Sequence, residues 1–587
     1  MSGRAGRLRA ATGTLAGAAA MITLVTIASR LVGFARSLVQ SAAVGTEGVG
    51  SAFTAANLLP NVLFEVAAGG ALAGSVVPLL AGPIARRAGT EVSRVASALL
   101  GWTLVVLVPL GALLALLAQP IATVLMASKH PELVDVTATF VRVFALQVPL
   151  YGLAVVLGSI LQAHKRFFWQ AFSPLLSSLA VIAVFLVFAG LADGDQKDVA
   201  ALSGEAIAWL GWGTTAGVAV LALPLVLPVR RLGVRLRPTL RFPGGEAVRA
   251  RNLAFAGIGA LVAQQLSVLA IMGAAYGFGP EQTFPTYWYA QQVYLLPYAV
   301  LAFPLATSTF PRLAEHVAHA RHDAYRRLLA STTRTLLVVA GLGVAALVAA
   351  SAAVEVVFAE IATGSVAGLG GAVAGMAVGI VGFSLILHLS RALYTIDRQR
   401  VAVVVTAAGW LVVAATAYVL PLVTGVRDQA GVLLQLGLAT TVGMSVAGAG
   451  LLVATRRYAG PEATHGVPRT LAVVAVGVAL GALAGSALSG ALLPDDAGWL
   501  PAVGVGALAA LVAGAVVVGV SLVGDRAALL GVLRRGAPVS GAAPAPTTTT
   551  PRTGRPTGDA RPRAPARRGP GVSGPTPRPA CRRRARC

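Results

Sequence analysis

Two arginines lie inside the first long apolar run of the chain, where a positive charge is costly. Arg30 and Arg36 belong to the stretch ASRLVGFARS, within an apolar run from about Leu15 to Val44. A charged side chain at membrane depth costs at least about 2.5 to 3.5 kcal/mol, so such residues usually face a cavity or a partner. Guanidinium groups keep their charge and offer a fork of donors that matches phosphate oxygens. The pair therefore predicts a site for an anionic, phosphate-bearing substrate.

The spacing of the arginines and one nearby acid define the alternatives. Six residues separate Arg30 from Arg36, which places them about 9 Å apart along a helix axis and about 120° apart around it. They can border one cavity wall without forming a flat pair. Glu65 is the only acid deep in an apolar segment. It either carries a coupling proton or pairs statically with Arg30, in which case Arg36 extends to the outer face.

Amide side chains in neighbouring apolar segments extend the candidate site. Such groups donate and accept hydrogen bonds and are suited to a sugar or a peptide, although any one of them is also explained as an interhelical hydrogen bond. Their concentration in the second, seventh and eighth predicted spans, beside the first, indicates a binding site. The residues are Asn57, Asn61, Gln264, Gln265, Gln291 and Gln292.

Composition identifies the class of protein that holds these residues. The chain has 587 residues, of which 56% are hydrophobic and 12% charged, against roughly 25% charged residues in soluble domains. We predict an all-α polytopic membrane protein, which excludes a soluble enzyme. The sequence contains no GxxxxGK[ST], HExxH or GxSxG motif, so we expect no ATP-driven motor, no catalytic residue, no metal site and no cofactor.

Fourteen apolar segments are long enough to cross a bilayer, which takes about 20 helical residues. The basic N-terminus precedes an apolar run too long for a cleavable signal, so we interpret this run as the first span. The segments are centred near residues 30, 67, 106, 150, 180, 217, 263, 299, 344, 380, 412, 443, 480 and 511.

The charges of the connections predict the orientation. With fourteen spans, one side carries 26 basic residues, including Arg391 after the tenth span, and the other only Lys129, Lys197 and Arg427. Basic residues collect on the cytoplasmic side, so we expect a plasma-membrane protein with both termini in the cytoplasm. The net charge of +24 follows from this bias and a basic tail, and it indicates no nucleic-acid partner.

An internal similarity predicts two pseudo-symmetric lobes around a central cavity. Leu-Leu-Pro begins a similar pattern at Pro60 in the second span and at Pro297 in the eighth. Both spans run in the same direction, so the lobes would be related by an axis along the membrane normal. The predicted parts are a cytoplasmic terminus at 1–14, an N-lobe at 15–230, a basic connection at 231–250, a C-lobe core at 251–456, two further spans at 457–525 and a disordered Pro/Arg/Thr-rich tail at 536–587. The tail holds both cysteines, Cys581 and Cys587, without zinc-site spacing.

Four motifs together resemble the MurJ/MviN lipid II flippases of the multidrug/oligosaccharidyl-lipid/polysaccharide exporter superfamily. They are SRLVGFAR, FTAANLLPNVLFEVAAGGALAGSVVPLLA, LQAHKRFF and YAQQVYLLPYAVLAFPLATSTFPRLAEH. The resemblance covers roughly residues 15 to 525 and implies fourteen spans, two lobes and a central cationic cavity. It implies that an undecaprenyl-diphosphate-linked peptidoglycan precursor moves from the cytoplasmic to the outer leaflet. Arg30 and Arg36 match the two arginines that this family associates with the diphosphate.

The sequence departs from better-known Gram-negative members at several positions. An arginine pair in the second span becomes Phe64 and Glu65, and an arginine in the eighth span becomes Gln292. An acidic residue becomes Ser51, and Glu-Gly-Ala-Phe becomes Gly-Gly-Ala-Leu at 69–72. The LPN-x-x-x-E-x-x-x-GG form is similar to the actinobacterial branch. The cargo is then lipid II or another polyprenyl-linked glycan.

Two other functions stay open from the sequence. One is a drug/cation antiporter of the same superfamily, which needs acids in the cavity and is disfavoured by a single Glu65 beside two arginines. The other is a transport-inactive scaffold that recruits cell-wall synthesis or division proteins through the tail at 536–587. For the flippase, the expected partners are the glycolipid cargo and membrane lipids, with cell-wall or division proteins as candidates.

Overall fold

All the elements that the structure describes are helices, as the apolar segments predict. The computed structural model describes residues 15–66, 71–126, 129–241, 258–494 and 497–530. The predicted N-terminal segment at 1–14, Gly69 and Gly70, part of the 231–250 connection and the tail at 536–587 lie outside the described residues.

The helices of the first half, here called the N-half, begin with one long helix and continue with a broken one. Their bounds are α1 (Leu15–Ala43), α2 (Val49–Phe64), α3 (Ala71–Ala85), α4 (Gly89–Leu116), α5 (Ala118–Met126), α6 (Val134–Phe144), α7 (Gln147–Ala163), α8 (Phe167–Ala192), α9 (Gly204–Ala222) and α10 (Val226–Arg231).

The second half, here called the C-half, contains the longest helix of the described chain. Its helices are α11 (Ile258–Phe278), α12 (Thr283–Pro297), α13 (Phe303–Ala318), α14 (His322–Ile361), α15 (Leu369–Ala377), α16 (Gly379–Thr395), α17 (Gln399–Thr424), α18 (Gln429–Ala459), α19 (Val467–Leu492) and α20 (Trp499–Gly524).

The described residues contain eleven or twelve candidate membrane spans. In the described residues, eleven helical segments are long and apolar enough to cross a membrane, and the pair α15–α16, bent by 47°, raises this to twelve. Of the two remaining predicted centres, the one near 30 lies in α1, and the one near 67 lies outside the described residues, between the shorter apolar helices α2 and α3. The protein is therefore a polytopic helical membrane protein, and the count of fourteen stays a prediction.

The second and eighth spans are interrupted at matching places. After Pro60, α2 ends at Phe64 and a π-helical turn follows at 65–66; after Pro297, a π-helical segment covers Tyr298–Ala302. A proline removes one backbone donor from a helix, and π-helical turns accommodate the resulting irregularity. The shared interruption supports the correspondence predicted from the two Leu-Leu-Pro patterns.

Each half packs mainly upon itself. In the N-half, the ring of Phe53 meets three other phenylalanines edge-on, at centroid distances of 5.5 to 5.8 Å. The C-half packs α17 on α18, and α19 and α20 on α14. Contacts between the halves involve α1 and α2 against α12, α1 against α14 and α5 against α11. The contact between the two halves, here called the seam, is therefore less extensive than the packing within each half.

The connection between the halves begins as a strap along α4. The N–H groups of Arg235 and Arg237 donate to the hydroxyls of Ser93 and Ser97, at 3.2 and 3.0 Å. A Cβ atom at Gly101 would lie 2.2 Å from the Thr239 carbonyl oxygen, so only glycine permits this approach. The strap therefore fixes the N-half side of the connection to the third span.

Candidate functional site

Both predicted arginines lie on α1 and have no acidic partner. Arg30 is exposed and Arg36 is partly buried. The ion pairs among the described residues do not include Arg30, Arg36 or Glu65. The interpretation in which Arg30 pairs with Glu65 is therefore wrong. Both guanidinium groups keep an uncompensated charge that a bound anion can neutralise.

Arg36 belongs to a small polar cluster that three helices build. Its charge interacts with the hydroxyl of Tyr151 on α7, which also forms a hydrogen bond with the Asn61 side chain on α2. The Asn61 amide donates to the Asn57 carbonyl oxygen at 2.9 Å, one turn earlier. Phe64 packs on the Tyr151 ring at a centroid distance of 5.2 Å. Phe64, whose ring orients Tyr151, thus stands at a position where the better-known Gram-negative MurJ/MviN members have an arginine.

Arg30 faces a second arginine that the sequence analysis had placed in a connection. The Tyr298 hydroxyl, on the π-helical segment, interacts electrostatically with both Arg30 and Arg391. Arg391 lies in the last turn and a half of α16, which ends at Thr395, so its assignment to a connection is corrected. One cation from each half of the protein therefore lies near the same phenol.

Glu65 starts the π-helical turn that follows α2 and is partly buried. It has no charged partner among the described residues, so it does not neutralise either arginine. Its carbonyl-side neighbour Val66 also belongs to this turn. Glu65 thus lies where the second span changes geometry.

The four predicted glutamines lie on α11 and α12. Gln265 is buried, whereas Gln264, Gln291 and Gln292 are partly exposed. Their side-chain amides form no hydrogen bond within the described residues, and none of the amide atoms is fully buried without a partner. The three partly exposed amides are thus available to a ligand, but no contact in the described chain links any of the four to the arginines. Among the predicted site residues, Arg36 and Asn61 thus lie together through Tyr151, whereas the glutamines remain separate candidates for ligand binding.

The two halves contact each other at one end of the site. The charges of the connections predict that this end faces the outer side of the membrane. The Thr46 N–H donates to the Thr363 carbonyl oxygen at 2.9 Å, and the Thr363 N–H donates to the Ser41 carbonyl oxygen at the same distance. The Thr363 hydroxyl donates to the Ala42 carbonyl oxygen at 2.7 Å. Backbone atoms of the two halves are therefore paired directly. We call the contact of residues 41–51 with 276–281 and 363–365 the outer closure.

Two carboxylates add bonds across the outer closure. Glu47 accepts from the Ser365 N–H at 2.8 Å, and Glu281 accepts from the Gly48 N–H at 3.2 Å. Each bond joins the N-half to the C-half. Glu47 also pairs with the exposed Lys197 at 3.2 Å. Charge-assisted bonds of this type are stronger than neutral ones, so these acids are principal elements of the closure.

Small residues permit this close approach. A Cβ atom at Gly45, whose φ is +86°, would lie 2.5 Å from the Thr363 carbonyl oxygen. The Ser51 hydroxyl lies 3.2 Å from the Tyr276 hydroxyl and 3.0 Å from the Glu281 carbonyl oxygen. Seven residues separate Arg36 from Ala43 at the end of α1, which places the arginine about 10 Å below the closure. The arginines therefore lie beneath a sealed outer end.

These features define a class: a helical membrane transporter with unpaired interior cations that suit an anionic substrate. The family model of "Lipid II flippase MurJ" matches residues 40–493. The chain belongs to this family. Arg30 and Arg36 precede the matched residues, so their correspondence rests on the SRLVGFAR motif and on the position of α1.

Curated relatives and solved structures agree with this family and fold. The chain is 29% identical over 296 residues to a probable lipid II flippase MurJ of Rhizobium meliloti (strain 1021), covering 49% of this chain and 53% of the relative. It is 27% identical over 318 residues to the lipid II flippase MurJ of Burkholderia cenocepacia, covering 52% and 58%. The chain thus matches about half the length of these relatives.

Among solved structures, the chain resembles a lipid II flippase MurJ in an inward closed conformation. The TM-score is 0.63 at 16% identity, covering 84% of this chain and 97% of that one. An inward-facing multidrug resistance MATE family transporter of the MOP superfamily gives a TM-score of 0.59 at 14% identity, covering 73% and 95%. At these identities the likeness establishes the fold alone.

Proposed function

We propose that this protein moves lipid II, a polyprenyl-diphosphate-linked peptidoglycan precursor, from the inner to the outer leaflet of the plasma membrane by alternating access. The observation that carries the proposal is the pair Arg30 and Arg36, unpaired and beneath a closed outer end. The names of the curated relatives support lipid II as the cargo. The connection charges support cytoplasmic termini.

The diphosphate is the part of the cargo that these arginines recognise. Arg30 is exposed and lies near Arg391 of the C-half through Tyr298, while Arg36 lies about 9 Å further along α1. Guanidinium groups suit phosphate oxygens and need no protonation step. The amides of Asn57, Asn61, Gln264, Gln265, Gln291 and Gln292 then suit the sugar and peptide of the headgroup. The apolar chain stays in the bilayer.

Transport requires the outer closure to open after the headgroup has bound. The contact between the halves at the closure consists of hydrogen bonds, so the halves can separate there without unfolding. A cavity that holds unpaired arginines is also sensitive to the membrane potential, which acts on charges that move across the membrane. The potential or an ion gradient can therefore drive the cycle.

A cation antiporter is the second candidate, favoured by two observations. Glu65 lacks a charged partner in the described chain, and the fold is shared with MATE transporters. Two unpaired arginines on the adjacent span, however, repel a cationic drug. The flippase is therefore the better-supported function, and recruitment of cell-wall or division proteins through 536–587 is a separate proposal.

Outer-leaflet exposure of lipid II tests the flippase. Cells depleted of their own flippase would express this protein, and an extracellular enzyme would cleave only exposed headgroups. Loss of one charged hydrogen bond costs about 1.5 to 3 kcal/mol, so Arg30→Ala and Arg36→Ala should each weaken headgroup binding about 10- to 100-fold. We expect exposure to fall accordingly at subsaturating lipid II and matched protein abundance.

Arg86→Ala is the matched control, because Arg86 is an exposed arginine that pairs with Glu91 at 2.9 Å outside the site. It should leave exposure unchanged. Exposure that survives both site substitutions would refute the arginine site. If the parent protein inserts well but exposes no lipid II, its cargo would instead be another polyprenyl-linked glycan, or the protein would act as a scaffold without transport.

A further inference from the structure

An apolar groove lies on the seam between the two halves, and no charged residue lines it. It has a volume of about 360 Å³, and every lining side chain is apolar. Its walls are α2, residues 117–125 and α11, with Leu59, Val124 and Met272 among the lining residues. Val124 is 83% exposed, so the groove is open to the surroundings. In a membrane-spanning protein, these surroundings at this depth are hydrocarbon.

Two cations lie at the outer end of α11, about two helical turns beyond the groove residue Met272. Lys129 follows α5, and its ammonium group donates to the Gly279 carbonyl oxygen at 3.4 Å. The guanidinium carbon of Arg427 lies 4.9 Å from the centroid of the Phe278 ring. Phe278 and Gly279 are consecutive residues, so one cation from each half meets the same helix end.

The two cations lack a carboxylate partner within the described residues. Of the two nearby acids, Glu132 pairs with His130 at 3.7 Å and Glu281 accepts from the Gly48 N–H at 3.2 Å. Burial and the charge of Arg427 lower the pKa of Lys129 below its usual value, which shows that the two positive groups act on each other. They are also two of only three basic residues on the predicted outer side. Two unneutralised cations beside an apolar groove match the two parts of an anionic amphiphile.

We propose that this groove binds one anionic phospholipid of the outer leaflet, with an acyl chain between α5 and α11 and its phosphate between Lys129 and Arg427. The Nη1 of Arg427 donates to the Pro421 and Val426 carbonyl oxygens at 2.8 and 2.7 Å. A phosphate accepts from the other guanidinium N–H groups and from the Lys129 ammonium group, and it neutralises both charges. A zwitterionic headgroup brings its own cation to the same place and is therefore held less tightly. Basic residues near a membrane surface each contribute attraction to anionic lipid.

The bound lipid acts on the contact between the halves. Lys129 belongs to the N-half and Arg427 to the C-half, so without an anion their repulsion pushes the halves apart next to the outer closure. A phosphate between them replaces this repulsion by attraction to both. The lipid therefore stabilises the closed outer end and must be released, or lose one contact, when that end opens.

Native mass spectrometry of the full chain, released from detergent with defined lipid, tests the site. The probes are palmitoyl-oleoyl phosphatidylglycerol and the phosphatidylcholine with the same chains. We expect one phosphatidylglycerol to bind with about 30-fold preference, the value for two basic residues at about 1 kcal/mol each. Lys129→Ala combined with Arg427→Ala should remove the preference.

Val124→Trp, which fills the groove, should lower the occupancy of both lipids at unchanged net charge. Lys197→Ala is the control, because it removes the third outer basic residue, whose partner is Glu47; it should keep the preference. Equal binding of the two lipids, or a preference that survives the double substitution, would overturn the proposal. Displacement of phosphatidylglycerol by glycerol 1-phosphate alone would also overturn it, because the groove would then contribute nothing.

The measurement needs neither lipid II nor transport. Its failure would therefore leave the proposed flippase intact, and a failure of lipid II exposure would leave the lipid site intact.

Discussion

Removal of the Glu47 side chain should open the outer end of the protein. Its carboxylate accepts from the Ser365 N–H at 2.8 Å, across the two halves, and pairs with Lys197 at 3.2 Å within the N-half. In Glu47→Ala the first bond is lost and the Ser365 N–H is left to find water. The ion pair with Lys197 is also lost, but this pair involves an exposed group, because the Lys197 side chain is 57% exposed.

The two losses differ in size. A hydrogen bond to a charged group contributes about 1.5 to 3 kcal/mol, whereas an exposed ion pair contributes about 0 to 1 kcal/mol. Only the first bond crosses between the halves. The closed state should therefore lose about 2 kcal/mol relative to the open state, which changes the ratio of the two populations about 30-fold.

Distance measurement between two spin labels detects this shift. Cys581 and Cys587 would first be replaced by serine, and labels placed on Asp195→Cys in the N-half and Ala367→Cys in the C-half, both exposed on the outer side. Glu47→Ala should move population towards longer distances, while Lys197→Ala should change it little. A distribution identical to the parent, or an equal change in Lys197→Ala, would refute the assignment of Glu47 to the closure.

Three further perturbations test other parts of the molecule. Arg391→Ala should lower lipid II exposure about as much as Arg30→Ala in the exposure assay, because both cations face Tyr298. Burial raises the pKa of Glu281 by more than its hydrogen bond from the Gly48 N–H lowers it, and nearby Glu47 and Glu132 raise it further. The closed state therefore binds a proton on Glu281 more readily than the open state, so lowering external pH from 8 to 5 should shift the spin-label distances towards closure. Asp525→Ala leaves Arg334 without its buried partner, a change worth about 3 to 5 kcal/mol, and should lower the thermal unfolding midpoint in detergent.

Each of these perturbations has a control. Arg398→Ala removes an arginine of a predicted cytoplasmic connection that lies over the Tyr458 ring and should keep lipid II exposure. Glu281→Gln should make the spin-label distances insensitive to pH. If the distances still change with pH in this variant, a group other than Glu281 is responsible. Asp323→Ala breaks an exposed ion pair with Arg326 and should change the unfolding midpoint little, and an equal change in both variants would contradict the special role of Asp525.

Local features of the sequence predict much of the architecture. Apolar length predicts the helices, and Pro60 and Pro297 mark spans that the structure interrupts shortly after each proline. The isolated charges of Arg30 and Arg36 indicate a site because a lone cation is costly in hydrocarbon. In each case the signal lies within one helix.

Features that join distant segments could not be predicted in this way. The Thr46 hydroxyl bonds to the Ser365 carbonyl oxygen across 319 positions, and no pattern near either residue announces the other. Arg391 was assigned to a connection because it precedes Arg398 and Arg400, although α16 continues to Thr395. Hydropathy determines where apolar character ends but not where a helix ends.

The position of the cations gives the substrate a role in the movement itself. A ligand shifts an equilibrium between two conformations only if it binds them with different affinity. Arg30 and Arg391 come from different halves and share Tyr298, so a diphosphate held by both loses one contact whenever the halves separate at that level. Arg36, with Tyr151 and Asn61, belongs entirely to the N-half and keeps its geometry during such a movement. On the proposed function, Arg36 therefore anchors the diphosphate in both states, whereas Arg30 and Arg391 together make its affinity depend on the conformation.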